Sequence, residues 1–315
     1  MNVSSTSVAR HPDAPQRAGI SWLRLLAAFG IVTFHLHLPG EHIGYAGLPV
    51  FTMLMAAMAV RSARGRSWQE YCRGRWRRLL LPWLVWSAFY VAPQCYMAQL
   101  VGAPMWSWWQ WNMLLIGTYA HLWFLPFAAI ASMAIGRALA GRGAHAAQGS
   151  LRMWGAVGCA SLVGAEWLLQ WEWPMPLAQW LVVLPGVFFG MAVATVPLGA
   201  RDGVRPLACL ALTIALFCAV LAVAGLQATV VQYVIAAPLV AVAWTLPWFA
   251  GRWATAVTAT AFGVYLFHPF VHMGIAWLVM TTGWQVSTPV GFAGVIGGSM
   301  AMAAALRCTR LRAFL

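Results

Sequence analysis

The sequence predicts an all-α, polytopic bundle of about ten transmembrane helices with both termini in the cytoplasm. Hydrophobic residues make up 62% of the 315 residues and charged residues only 8%, whereas soluble domains carry about 25% charged residues. The apolar residues are gathered into runs near the ~20 residues that an α-helix needs to cross a bilayer. The basic residues fall at alternate ends of those runs. Together, these observations predict a multi-pass protein embedded in a lipid bilayer.

Ten apolar runs are predicted to span the membrane within one transmembrane domain, residues 20–315. Their approximate limits are Ile20–Pro39, Ala46–Arg61, Leu79–Gly102, His121–Ala140, Leu151–Trp171, Leu177–Pro197, Pro206–Leu226, Val230–Ala250, Ala254–Thr281 and Pro289–Leu306. Residues 1–19 are predicted to form a short disordered cytoplasmic tail. The first run lacks a clear small-residue cleavage site, so we expect it to be kept as a helix rather than removed as a signal peptide.

The net charge of +13 is explained by membrane topology. Every cationic side chain is an arginine, and all nineteen fall on the side that an even number of spans would place in the cytoplasm. This distribution is the positive-inside bias of membrane proteins. It explains the basicity without a nucleic-acid partner.

An arginine and a histidine occupy the first apolar run, where an unpaired polar group is costly. Arg24 and His35 have ten residues between them. At ~100° per residue they lie on one helix face, roughly 16 Å apart along the axis. This pair suits a site in which Arg24 binds an anionic molecule near the cytoplasm and His35 takes part in a reaction deeper in the membrane. The alternative is a snorkelling anchor beside a packing histidine.

A second basic group precedes the third predicted span. The chain reads Arg75-Trp76-Arg77-Arg78 shortly before Pro82, and Arg75 and Arg78 should share a helix face. Guanidinium groups spaced in this way can bind phosphate groups through paired hydrogen bonds. The alternative, a solvated positive-inside loop, explains less well why these arginines lie so close to the span.

Two aromatic blocks carry further histidines. The block His121–Pro126 follows a tryptophan-rich stretch, and His121 and Trp123 are candidate substrate-binding residues. The tryptophans are either an interfacial aromatic belt or a stacking platform for a sugar ring. The block Gly263–Phe270 places His268 about 20 Å from the cytoplasmic edge, against about 22 Å for His35. We therefore expect His35 and His268 to come close together.

Neither a disulfide framework nor a bound metal is predicted. The six cysteines lack CxxC spacing. Histidines do recur at short spacing, at His35, His37 and His42 and at His268 and His272. However, the chain has only six carboxylates to support a metal site, and Pro269 perturbs the helix that carries the second histidine pair.

With four such blocks in this order, the chain resembles the acyltransferase 3 family of bacterial membrane O-acyltransferases. The resemblance rests on Arg24 and His35, the Arg75/Arg78 pair ahead of Pro82, the block His121–Pro126, and Tyr265-Leu266-Phe267-His268-Pro269. It implies transfer of an acyl group, commonly acetyl, from cytosolic acyl-CoA to a hydroxyl of an exported or cell-surface glycan. It also implies a location in the bacterial inner membrane.

The resemblance implies a role for several of these residues. His35 would be the catalytic base, and Arg24, Arg75 and Arg78 would bind the donor. Acyl-CoA, commonly acetyl-CoA, would be a co-substrate rather than a permanently bound cofactor, and the acceptor would be a polysaccharide or a lipid-linked oligosaccharide. The chain departs from the Phe-Phe…Ser-Gly pattern frequent in the family's second helix, since it has Phe51-Thr52 and Ala56-Ala57.

The chemistry also fits the residues themselves. A neutral imidazole near physiological pH can accept the proton of a hydroxyl as it attacks a thioester. His35 is the predicted base and His268 a second catalytic candidate, while Glu41 or Glu166 is expected to fix the imidazole tautomer. Direct transfer and an acyl-histidine intermediate are both open.

The sequence also leaves open a different class of function. A transporter or flippase of an anionic lipid-linked glycan would line its path with arginines and histidines. The sequence shows no evident inverted repeat and has few carboxylates for proton coupling. These features favour the enzyme over the transporter.

Overall fold

The computed structural model describes residues 14–139 and 150–314, with side chains described from residue 18 onwards. Within these ranges the chain forms helices joined by turns and short loops, and it contains no strand. The predicted all-α class is therefore confirmed.

Ten helices of sixteen residues or more occur in the described ranges. They are α1 Ala14–His35, α2 Gly47–Ala63, α3 Leu81–Leu100, α4 Phe124–Leu139, α5 Leu151–Leu168, α6 Leu177–Val193, α7 Val204–Val223, α8 Val230–Thr245, α9 Ala261–Thr282 and α10 Thr288–Arg307. Each overlaps one of the ten predicted spans.

Among the described residues, six helical segments are long and apolar enough to cross a membrane: Ala18–His35, Glu41–Ala63, Ala120–Leu139, Arg201–Val223, Ala261–Thr282 and Thr288–Arg307. Helices α6 and α8 are apolar but shorter. The chain is thus a multi-pass helical membrane protein. The count of ten spans and the cytoplasmic position of both termini remain predictions.

The predicted boundaries were wrong at two places. Helix α1 begins at Ala14 rather than near Ile20, so part of the predicted disordered tail is helical. Pro15 is the second residue of this helix, a first-turn position where the missing N–H costs no helical hydrogen bond. The ninth predicted span is two helices, Arg252–Thr258 and α9, which are separated by Ala259 and Thr260.

Helix α1 lies at the centre of the packing, against α2, α8 and α9. Helices α2 and α6 approach so closely that a Cβ at Gly190 would strike the backbone carbonyl oxygen of Met53. A Cβ at Gly47 would likewise strike the carbonyl oxygen of Ala27 in α1. Small residues at such crossings are typical of membrane bundles, where close van der Waals packing replaces the hydrophobic effect as the main attraction between helices.

A short helix, Trp68–Arg75, leads into α3 through the π-helical turn Trp76–Leu80. Ser67 and Glu70 start it with a capping box, in which each side chain bonds to the other residue's backbone N–H. The Tyr71 hydroxyl donates a 3.0 Å hydrogen bond to the Ser132 carbonyl of α4. Because this bond attaches the short helix to the bundle, it determines where Arg75 lies.

Candidate active site

Three histidines from three separate sequence blocks meet in the structure. His35 is the last residue of α1, and His268 lies in α9. Their rings stack with centroids 5.2 Å apart and an interplanar angle of 27°. The ring of His121 lies 5.3 Å from that of His268, in an edge-to-face arrangement. We call His35, His121 and His268 the histidine cluster.

The orientation of His268 follows from the proline after it. Pro269 lacks a backbone N–H, so the carbonyl of Tyr265, four residues earlier, loses its usual helical donor. The Nδ1 atom of His268 lies 2.9 Å from that carbonyl oxygen and 3.2 Å from the carbonyl oxygen of Val264. A carbonyl only accepts, so Nδ1 carries the proton and Nε2 is left as an acceptor. Nε2 is buried without a hydrogen-bond partner among the described residues.

His121 is enclosed by aromatic rings. It lies on a 3₁₀ turn, Ala120–Trp123, at the start of α4, and its side chain is buried. The rings of Tyr90, Tyr119 and Tyr265 lie within 5.2–5.4 Å of its own. The Tyr265 hydroxyl donates to the backbone carbonyl of His121. Neither ring nitrogen of His121 has a partner in the described part of the chain.

His35 is the exposed member of the histidine cluster. It ends α1 because His37, two residues on, adopts a left-handed conformation with φ of 51°. The N–H of His37 bonds to the carbonyl of Phe34, and the N–H of Leu38 bonds to that of Thr33, which is the Schellman pattern of a helix C-terminus. The helix end therefore presents His35 at an accessible edge of the cluster.

Neither predicted carboxylate contacts His35. Glu41 lies 3.0 Å from Nδ1 of His37 and 3.9 Å from Nε2 of His42, because the left-handed turn at His37 brings that residue to face the short helix Glu41–Gly44. Glu166 is buried at the end of α5, where it accepts hydrogen bonds from the backbone N–H groups of Ala228 and Thr229. The expectation that either orients His35 is therefore corrected.

A cavity of about 380 Å³ opens between α1, α2, α4 and α9. It is lined by Arg24 and by Arg75 at the arginine-rich end of the bundle. The Arg24 side chain is exposed, and among the described residues none accepts a hydrogen bond from it. We call this space the cationic cavity.

Arg75 is held at the mouth of the cationic cavity by two contacts. It donates a 3.0 Å hydrogen bond to the Ser62 hydroxyl, and its guanidinium carbon lies 4.8 Å from the centre of the Tyr71 ring. Burial lowers the pKa of the Arg75 guanidinium, but arginine starts so far above neutrality that the charge is kept. Arg78 is exposed and is not among the residues lining the cavity, because the π-helical turn places Leu79 there instead.

Four aromatic side chains of the described residues line the cationic cavity: Phe51, Phe124, Phe262 and Tyr265. The ring centroids of Phe51, Phe124 and Tyr265 lie 6.1–6.5 Å from one another, and that of Phe262 lies 6.1 Å from that of Tyr265. Tyr265 therefore touches both regions, since it also contacts His121 and lies three residues before His268 on α9. Tyr265 belongs to the motif Tyr265-Leu266-Phe267-His268-Pro269, but no role was predicted for it from the sequence. Its spacing of about one helical turn from His268 was the signal that could have predicted a role for Tyr265.

Trp123 is buried in the structure. Its side chain is only 5% exposed and packs in the core with Phe124 and Phe127. The predicted sugar-stacking role is therefore corrected, because a buried indole offers no free face. The exposed tryptophans of this region are Trp106, Trp109 and Trp111, in the loop between α3 and α4.

Replacing Trp123 by alanine should reduce stability rather than acceptor affinity. The lost packing is expected to cost about 3 kcal/mol, the lower end of the range for large buried aromatic residues. Thermal unfolding in detergent would measure the effect, with Trp111→Ala as the exposed control. A Trp123→Ala protein as stable as wild type but with a raised acceptor KM would restore the stacking interpretation.

No three His, Cys, Asp or Glu side chains in the described ranges are arranged to hold a metal ion. The six cysteines are free, and Cys159 and Cys218 are buried.

Helices of membrane-spanning length, with a histidine cluster beside a cationic cavity, define a multi-pass membrane protein with a polar site built among its helices. The family model described as Acyltransferase domain matches residues 17–308, and the chain therefore belongs to the acyltransferase 3 family. Comparison with curated proteins and with solved structures gives no match. The protein is thus a membrane acyltransferase.

Proposed function

We propose that the protein transfers an acyl group, commonly acetyl, from cytosolic acyl-CoA to a hydroxyl of an exported or cell-surface glycan in the bacterial inner membrane. The observation that carries the proposal is that α1 and α9 each contribute to both the cationic cavity and the histidine cluster, with Tyr265 in contact with both. A donor and an acceptor can thus approach one reacting centre from two sides.

The donor side is the cationic cavity. Coenzyme A carries phosphates on a long pantetheine arm that ends in the thioester. Arg24 has no hydrogen-bond partner among the described residues, and the described residues give Arg75 one hydrogen bond, from a terminal nitrogen to Ser62, so both guanidinium groups keep N–H donors for phosphate oxygens. From Arg24 the extended arm follows α1, and His35 lies roughly 16 Å further along the helix.

The reacting centre is His35. In the proposed step, the acceptor hydroxyl attacks the thioester carbonyl carbon while its proton moves to a ring nitrogen of His35. The tetrahedral intermediate then collapses, the C–S bond breaks, and the departing thiolate takes the proton from the imidazolium to leave as coenzyme A. No described carboxylate lies within ion-pair distance of the histidine cluster. The contact proposed to position the His35 ring is therefore its stacking on His268. His121, buried beside His268, is proposed to help hold this arrangement.

The first experiment measures donor consumption. Purified protein in lipid nanodiscs is incubated with radiolabelled acetyl-CoA and glycan extracted from the producing cells, and release of free coenzyme A is followed together with label on the glycan. We expect both products in equal amounts. In proteoliposomes of the same protein, glycan movement across the bilayer without consumption of acetyl-CoA would instead favour the transporter or flippase.

A further inference from the structure

A second cavity, of about 790 Å³, lies between α5 and α7, apart from the cationic cavity. No residue in the described part of the chain lines both cavities. Its walls include Gly155, Ala156 and Cys159 of α5 and Cys209 and Thr213 of α7. The groove is open because α5 packs closely on α6 and α7 packs closely on α8, while α5 and α7 touch only lightly. We call this space the α5–α7 groove.

Two arginines stand at one end of the α5–α7 groove. Arg152 and Arg205 are each the second residue of their helix, both are exposed, and both line the groove. Within the described ranges neither has a hydrogen bond or an ion pair. The two helix N-termini beside them add partial positive charge from their free N–H groups. This end of the groove therefore favours an anion.

The rest of the groove is apolar and has the depth of one lipid leaflet. It extends along α7 from Arg205 to Phe217, twelve residues or about 18 Å. Half of a ~30 Å hydrocarbon core is about 15 Å. Small side chains on α5 leave room along this length for an acyl chain, and by the positive-inside pattern the arginine end lies at the cytoplasmic surface.

We propose that the α5–α7 groove binds an anionic phospholipid of the cytoplasmic leaflet. The headgroup phosphate lies between Arg152 and Arg205, and one acyl chain lies against Ala156 and Cys159. Basic pockets between transmembrane helices on the cytoplasmic side suit such headgroups. The charge at one end and the apolar depth at the other together select a lipid over a free phosphate ion, which would use only the arginines.

The test measures lipid retention by native mass spectrometry of the full chain. Protein is extracted from nanodiscs of phosphatidylcholine that contain phosphatidylglycerol, and the bound anionic lipid is counted. Each arginine near a membrane surface contributes roughly 1 kcal/mol of attraction. The double variant Arg152→Gln/Arg205→Gln should therefore retain phosphatidylglycerol about 30-fold more weakly. The double variant Arg137→Gln/Arg252→Gln, which removes two arginines outside the groove, should bind like wild type.

A second variant separates a lipid from a phosphate ion. Ala156→Phe fills the groove on an exposed face of α5 and keeps both arginines, so it should also lose the lipid. If Ala156→Phe binds phosphatidylglycerol normally, or if inorganic phosphate displaces the lipid, the groove does not hold the acyl chain and the proposal is overturned. Equal retention by Arg152→Gln/Arg205→Gln and by its control would overturn it as well. The measurement needs no acyl transfer, so its outcome is independent of the proposed function.

Discussion

Replacing His35 by alanine should lower the rate of acyl transfer by about 10²–10⁴-fold, the usual cost of losing a general base. The protein should still reach the membrane in near-normal amounts, because His35 is exposed at the end of α1 and the described residues give it only ring contacts. A histidine needed for packing would show the reverse pattern, with low protein and normal turnover of what remains.

The measurement for His35 is the initial rate of coenzyme A release per folded protein. His42→Ala is the matched control, since His42 is exposed nearby and lies outside the histidine cluster. It should transfer at the wild-type rate. Transfer by His35→Ala within threefold of wild type would remove His35 from the mechanism, whatever the identity of the acceptor.

Replacing Arg24 by alanine should raise the KM for acyl-CoA by about 10–100-fold and change the acceptor KM little. The estimate follows from the roughly 1.5–3 kcal/mol of a hydrogen bond to a charged group. Arg75→Ala should act in the same direction. Because Arg75 also bonds to Ser62 and lies on the Tyr71 ring, Arg75→Lys is the cleaner variant for its role in donor binding.

Arg78→Ala serves as the comparison for both cavity arginines. The sequence predicted that Arg78 also serves the donor, whereas the structure places it outside the cavity lining. We therefore expect a much smaller rise in the acyl-CoA KM than for Arg24→Ala. Added salt should mimic part of the Arg24 effect, because it screens accessible charges. Equal losses for donor and acceptor in the Arg24 variant would indicate misfolding rather than lost donor binding.

The helices and the approach of His35 to His268 were predictable from sequence because both depend on simple periodicity. Apolar runs of bilayer length predicted where all ten long helices lie, and counting 1.5 Å per residue from the arginine-rich edge gave the two histidines similar depths. The distribution of arginines likewise anticipated the positions of Arg24 and Arg75 at one end of the bundle.

Other features depend on tertiary packing that local sequence does not reveal. A tryptophan such as Trp123 at the start of a helix can lie either at the membrane–water interface or in the protein core. Its packing against Phe127, which local sequence does not reveal, places Trp123 in the core. The partners of Glu41 depend on the left-handed backbone conformation of His37. Residues other than glycine adopt this conformation rarely. The separation of Arg78 from Arg75 arises from a π-helical turn, which shifts the face that α-helical spacing would predict.

The proposed mechanism requires that donor and acceptor reach one histidine site from opposite sides of the membrane. The most direct measurement uses proteoliposomes of determined orientation, with membrane-impermeant acetyl-CoA on one side and soluble glycan acceptor on the other. We expect product only when acetyl-CoA faces the arginine-rich surface and the acceptor faces the surface that carries Trp106, Trp109 and Trp111. Product formed with both substrates confined to the arginine-rich side would contradict this mechanism.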